Sequence, residues 1–461
     1  MRPSDITRLW SEFEMELRRF DCCFAREEPR GHLRTYLRGQ LSDIPRKSIE
    51  PIALLHGTPP RTLQKFLAQH LWDEDGMRDR LQRLVADEHA DDHAVGVIDE
   101  TAHPKKGSHT PGVKRQWCGA TGKIDNCTVS VHLAYAGDGM RLLLDAELFM
   151  PEEWTVDDAR RREAGVPDGI VHRTKWQIAL AVLDRALGNG VHFRWLTFDE
   201  GYGQAPEFLH ALTARNQRYV AEVPISMHGW VREPRVMLRS HGRRNGRPRR
   251  VPRVFVQDSH VSSVENLFRH SPAFTRQAWI ALYVKDTTKG PVVWEVKESP
   301  FWLRRDGVPT AEHRLVVARN ALTGEIKYFL TNAPSSVRIE EIARVAFTRW
   351  TVERCFQDAK TELGLSHFEV RNWTSLTRHL LLTAVGLLAL SRVTSRHCSK
   401  SADVDGVPGE DRRGGVAASE VDVAIEAGGV SRTDRRHARA IPHPRPRGVR
   451  GASARDPAKT A

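Results

Sequence analysis

The run Phe347-Thr348-Arg349-Trp350-Thr351-Val352-Glu353-Arg354-Cys355-Phe356-Gln357-Asp358-Ala359-Lys360 holds the residues with most chemical potential. It has neither Gly nor Pro, and its apolar residues fall at helical intervals. On a helix Arg349, Glu353 and Lys360 project from nearly one side, giving a face of cation, carboxylate and cation. Alone, that face is an ordinary salt-bridge ladder. Two distant carboxylates change its meaning. Asp99 closes the apolar run Val95-Gly96-Val97-Ile98, and Asp199 closes Phe193-Arg194-Trp195-Leu196-Thr197-Phe198. Three carboxylates drawn from far-apart segments make a hard-cation site, and hard cations serve phosphoryl transfer. Asp99, Asp199 and Glu353 can hold two Mg²⁺ (or Mn²⁺) ions about 4 Å apart, with Arg349 and Lys360 neutralising phosphate charge beside them. Each aspartate taken singly also reads as a strand-end or helix-capping residue. Glu100 and Glu200 point to the opposite strand face, and His103 and His132 read as structural or surface residues.

The positioning elements follow from hydrophobic periodicity. Residues 1–93 read as a helical unit. Within it, Ile49 to Leu55 and Pro60 to Leu67 flank Gly57 and Thr58, the pattern of a helix-turn-helix with Thr58 capping its second helix. Arg61, Gln64 and Lys65 face outward from that helix, where Arg61 and Lys65 can meet DNA phosphates. Residues 94–224 read as three strands, a helix, a strand, a helix and a strand, with Gly137-Asp138-Gly139 as a hairpin turn. That order predicts an α/β fold whose mixed sheet is of the ribonuclease-H type, with the strand-end acids meeting at one edge. The stretch from His103 to Arg115 reads as a basic loop, with Lys105 and Lys106 as phosphate contacts. Residues 225–335 read as an inserted β-rich unit that opens with an arginine cluster from Arg239 to Arg250. Residues 336–394 return to the core with the Glu353 helix and a buried helix over Leu380 to Leu390. Residues 395–461 lack aromatics and apolar period, and read as a basic tail, disordered or frame-shifted.

The 461-residue chain exceeds one compact core. Its net charge of +12 and pI near 9.6 favour a polyanionic partner. Six cysteines form no C-x-x-C pair, which excludes a zinc ribbon or dithiol redox motif and fits a reduced cytoplasmic setting. The run Leu380 to Leu390 is too short to span a bilayer, so no membrane role is expected.

Asp99-Glu100-Thr101, Asp199-Glu200-Gly201-Tyr202 and Arg349-Trp350-Thr351-Val352-Glu353 with Lys360 together resemble the DDE transposases of bacterial insertion sequences. The resemblance is to the cut-and-paste branch with a β-insertion and a Y-x2-R-x3-E-x6-K signature, and it spans roughly residues 15–395. It implies a ribonuclease-H-like core and Mg²⁺-dependent cleavage of double-stranded DNA at terminal inverted repeats. It also implies a hairpin intermediate, insertion into target DNA, and a homodimer on paired ends. Asp99, Asp199 and Glu353 become metal ligands, and Arg349 and Lys360 phosphate contacts. The signature tyrosine falls at Ala346, and Tyr328 stands where the family stacks an aromatic ring on a flipped base. Two other readings remain: an inactive remnant or DNA-binding repressor, and a plain nuclease of the same fold without strand transfer.

Overall fold

A computed structural model describes residues 3–237, 252–258, 260–287 and 290–404. The arginine cluster from Arg239 to Arg250 and the tail from residue 405 lie outside the described residues.

The first six strands are β1 (Val95–Pro104), β2 (Lys114–Cys118), β3 (Lys123–Gly137), β4 (Met140–Leu148), β5 (Trp195–Phe198) and β6 (Tyr219–Glu222). The apolar density of β1 and β5 has the expected cause: both are buried along their apolar runs. β3 and β4 meet at a two-residue turn in which Asp138 (φ 50°) and Gly139 (φ 68°) are both left-handed, the geometry that matches strand twist. β3 pairs antiparallel with β1 and β4, whereas β1–β5 and β5–β6 are parallel. The spatial order is therefore β4-β3-β1-β5-β6. Being parallel, β1, β5 and β6 present the sequels of their apolar runs at one edge.

The later strands are β7 (His228–Trp230), β8 (Val236–Met237), β9 (Arg253–Val254), β10 (Ser262–Ser263), β11 (Ile280–Thr287), β12 (Gly290–Arg305), β13 (Val308–Asn320) and β14 (Ile326–Thr331). Residues 225–335 hold most of the later strands, and their main strands continue the same sheet. β14 pairs with β6, and β13, β12 and β7 follow outward, giving a sheet of twelve strands among the described residues. Only β8 and β9 form a separate ribbon among the described residues. β14 takes the edge of β6 that β5 leaves unpaired.

The helix Ile339–Thr361 lies across β1, β4, β5 and β6. An aromatic group ties it to the added strands: Phe347 lies 4.9 Å from Trp294 and 6.1 Å from Phe329, centroid to centroid. The helix Trp373–Val404 is longer than expected and runs into the segment read as tail. Its span Trp373–His397 is long and apolar enough to cross a bilayer, yet 83% of its most apolar 18-residue stretch is buried in the protein. It is the spine on which the N-terminal helices dock. Arg378 donates to the carbonyls of Phe66, Leu67 and His70 and pairs with Glu74 at 2.7 Å. Tyr36 and His379 share a 2.8 Å hydrogen bond.

The helix pair Ile49–Leu55 and Pro60–Ala68 is present. Thr58 serves it differently from expectation. Its N–H donates to the Ala53 carbonyl at 2.9 Å behind Gly57 (φ 61°), closing the first helix, and Pro59 occupies the cap position of the second. Arg61, Gln64 and Lys65 are exposed, as the amphipathic pattern requires.

Candidate active site

Ile98 and Phe198 are register partners on parallel strands, so Asp99 and Asp199 leave adjacent strands at the same level. Both are half-buried. Asp199 also caps the helical turn Glu200–Gly203, accepting from the Tyr202 N–H at 3.4 Å. Burial and the neighbouring charge of Asp199 push the Asp99 carboxyl up to about 7, while Arg349 pulls the other way. Two carboxylates therefore share a poorly solvated edge with more negative charge than it accommodates.

Arg349 faces this edge. Its guanidinium lies 3.8 Å from Asp99 Oδ2, 3.8 Å from Glu353 Oε1 and 3.4 Å from Glu222 Oε2. The Arg349 side chain is only 16% exposed, whereas Glu353 is 60% exposed. Lys360, further along the same helix face, is half-buried. Desolvation lowers its pKa, and the charge of Asp99 holds it up. The helix thus presents Arg349, Glu353 and Lys360 on the side the spacing predicts. Asp99, Asp199 and Arg349 are brought together, with Glu353 at the rim through Arg349 and Lys360 near enough for the charge of Asp99 to act on it.

Two further residues shape this edge. Glu222 ends β6, the third parallel strand, and ties Lys327 (2.7 Å) to Arg349. Tyr202 is 2% exposed, and its hydroxyl has no hydrogen-bond partner among the described residues. Burial, with the charges of Glu100, Asp99 and Asp199, pushes that phenol well up. Its place three residues after a strand-end aspartate was the available signal.

A hard cation is tested against this arrangement by its donors. The Asp99 and Asp199 carboxylates, side by side on parallel strands, fit one. The set is not closed, since no three carboxylate, imidazole or thiol groups among the described residues converge on a common point. Glu353 meets Arg349 instead.

Three expectations change. Lys105 is not a surface phosphate contact: its ammonium donates to the Phe368 carbonyl at 2.6 Å and sits 3.4 Å from that ring's centroid. Burial lowers it to about 8. Lys106 is exposed. The stretch read as a basic loop is partly strand, because His103 and Pro104 belong to β1 and Lys114 and Arg115 to β2. Tyr328 is 5% exposed, with its ring 6.1 Å from Phe268, so it offers no face to a base in this conformation. Phe268 lies on the helix Val264–His270, which covers that side of the strand. His103 and His132 are buried and share Ser130 (2.9 and 2.7 Å). Burial holds His132 down at about 3 and His103 well below its usual range, which makes both neutral structural residues.

A family model described as "DDE superfamily endonuclease" matches residues 19–291. The match includes Asp99 and Asp199 and ends before Glu353. The chain is 31% identical over 187 residues to the "Probable transposase for insertion sequence element IS701" of Microchaete diplosiphon. That alignment takes in 40% of this chain and 46% of the relative, so the chain spans just under half of that relative's length. Among solved structures, the piggyBac transposase synaptic complex with hairpin DNA aligns over 87% of this chain and 76% of its own. At 9% identity and a TM-score of 0.37, this likeness is too distant to carry an argument.

Proposed function

The chain belongs to the DDE superfamily endonuclease family, and on that premise we propose that it is a transposase that cuts DNA phosphodiesters at insertion-sequence ends and joins them to target DNA. The observation that carries this reading is the parallel register Ile98–Phe198, which sets Asp99 beside Asp199 with Arg349 facing both strands' edge. The strand order β4-β3-β1-β5-β6, antiparallel then parallel, supports a ribonuclease-H-like core.

Asp99 and Asp199, with Glu353 on the facing helix, would hold Mg²⁺, which supplies Lewis acidity and an activated hydroxyl when bound. Arg349 and Lys360 give the scissile phosphate its counter-charge and orient it. The exposed Arg61 and Lys65 grip duplex flanks, and Lys106 remains a candidate phosphate contact. A pair of subunits on paired ends fits the need to cut two ends together. With Tyr328 packed inside, a hairpin route has no stacking residue at that position.

The test uses purified full-length protein, Mg²⁺ and DNA bearing the gene's own flanking ends, resolved on a denaturing gel. Breaks at the ends that vanish in Asp199→Ala support the reading. Breaks that persist in Asp199→Ala, or that fall at random positions, refute it. A second reading, DNA binding without turnover, is favoured by the exposed Glu353 held on Arg349 rather than among the other acids. Binding to the ends without breakage by the wild type selects it.

A further inference from the structure

β2 and the N-terminal end of β3 form a finger that the site does not account for. β1 stops opposite Cys127, and β3 residues 123–126 pair with β2 alone. Asp99 is the register partner of His132, and Ile124 lies eight residues from it toward the edge where the carboxylates sit. At 3.3 Å per residue the finger reaches about 26 Å past the level of Asp99.

One face of this finger is apolar and open. Trp117 and Ile124 are register partners, 60% and 61% exposed. Exposed Arg115 lies on the same face two residues before Trp117, and exposed Lys123 stands at the tip on the other face, opposite Cys118. Neither cation has an ion-pair partner among the described residues, although neighbouring Lys114 is engaged by Glu153 at 2.6 Å. The opposite face is closed by Cys118, Cys127, Ala102 and Val129.

The finger is braced at its root. The Asn126 amide donates to the Lys105 and Gly107 carbonyls at 2.8 and 2.7 Å. The Trp154 indole donates to the Val113 carbonyl at 2.9 Å. A single exposed apolar residue is ordinary. An exposed tryptophan and isoleucine set side by side on a braced hairpin, with Arg115 beside them and Lys123 at the tip, specify an apolar partner that carries negative charge. A second copy of this chain would have to bring acids to Arg115 and Lys123, whereas duplex DNA brings phosphates to the cations and base faces to the rings.

We propose that Trp117 and Ile124 form a wedge that enters duplex DNA about seven to eight base pairs from the cut site, with Arg115 and Lys123 on the adjoining phosphates. The proposal rests on the transposase reading. It is tested on full-length protein without divalent metal, using duplexes that carry the flanking end with 2-aminopurine moved one position at a time. The wild type is expected to change the probe's fluorescence in a narrow window at that distance. Trp117→Ala removes the change and weakens binding roughly tenfold, while Trp117→Phe keeps most of both. Replacing Arg115 and Lys123 by Gln lowers the salt slope of binding by about 2. The wedge is overturned if Trp117→Ala binds like the wild type with the same probe profile. It is also overturned if sedimentation shows that Trp117→Ala breaks a dimer in the absence of DNA. Where the wild type cuts in an Asp199-dependent way and these variants match it, the wedge alone fails. Where the wild type neither binds nor cuts, both readings fail.

Discussion

The turn after Asp199 offers the sharpest perturbation. Asp199-Glu200-Gly201-Tyr202-Gly203 folds as a single helical turn capped by Asp199. At Gly203 a Cβ would lie 1.9 Å from the carbonyl oxygen of Glu222 and 3.0 Å from its carbonyl carbon, against an ordinary contact of at least 3.4 Å. The shortfall is about 1.5 Å, and the obstructing atoms are backbone at the end of β6, which a rotamer change cannot clear. Gly203→Ala therefore separates the turn from β6, and Asp199 moves with it. Two energies oppose each other. Alanine gains about 1 kcal/mol of helical preference over glycine, while overpacking costs about 1–3 kcal/mol, more where backbone must yield. The clash prevails, and at about 2–4 °C per kcal/mol the melting point falls by about 2–8 °C. The catalytic effect is larger, since a displacement near 1 Å costs about 100-fold in rate. Calorimetry and the end-cleavage gel measure the two effects. Gly188→Ala, where nothing lies within 4 Å of the added carbon, is the neutral control. Wild-type melting and cleavage in Gly203→Ala would falsify the link between this contact and the carboxylate.

Three further expectations follow from single contacts. Asp145 is 1% exposed between Arg78 and Arg185, each at 3.1 Å; Asp145→Ala leaves Arg78 to Asp75 and Arg185 to solvent and lowers stability by about 1–3 kcal/mol in urea unfolding, and an unchanged midpoint rejects the anchoring role. Lys105→Met leaves the salt dependence of DNA binding unaltered, because that ammonium faces Phe368, whereas replacing Arg61 and Lys65 by alanine lowers the slope by about 2; filter binding over a salt series discriminates between them. Glu222→Gln loosens Arg349 and Lys327, lowering stability by about 1–3 kcal/mol and cleavage about tenfold. A double-mutant cycle with Lys327→Met then gives a coupling of about 1–2 kcal/mol, and a coupling near zero denies the tie.

How much the sequence discloses depends on whether the cause is local. The β1 and β5 runs announce themselves by apolar density, and the Arg349–Glu353 pair follows from helical spacing, so the two strand carboxylates and their facing cation were legible. Asp145 shows the limit of that reasoning. It follows Leu142-Leu143-Leu144 much as Asp99 follows Val97-Ile98, yet it anchors the helix Glu74–Glu88 to β4 through Arg78. No local pattern separates the two, because the difference lies in which partner arrives from elsewhere in the chain. Lys105 was misjudged for the same reason: it sits in a basic stretch, and its partner Phe368 is 263 residues away. Glu222 was missed because β6 is a short strand followed by Val223 and Pro224, with nothing to mark its last residue. Tyr328 lies in the buried run Tyr328-Phe329-Leu330-Thr331, whose apolar density marks a covered strand but not the helix Val264–His270 that covers it.

The carboxylate edge and the added strands are thus one construction. β14 docks on β6, and in doing so Lys327 of β14 meets Glu222 of β6 at 2.7 Å. Glu222 then holds Arg349 at 3.4 Å, and Trp294 of β12 packs on Phe347 two residues earlier in the same helix. The inserted segment therefore fixes the site helix twice, once through charge and once through an aromatic contact, on either side of the turn that aims Arg349 at Asp99. An enzyme with strands β1 to β6 alone would keep Asp99 and Asp199 in register but leave Glu222 without its lysine and Phe347 without its tryptophan. Arg349 would lose its lateral support, and the helix bearing Glu353 and Lys360 would be free to shift relative to the sheet. The extension of the sheet is in this sense part of the site, and its contribution is the placement of the helix against the two strand-end carboxylates.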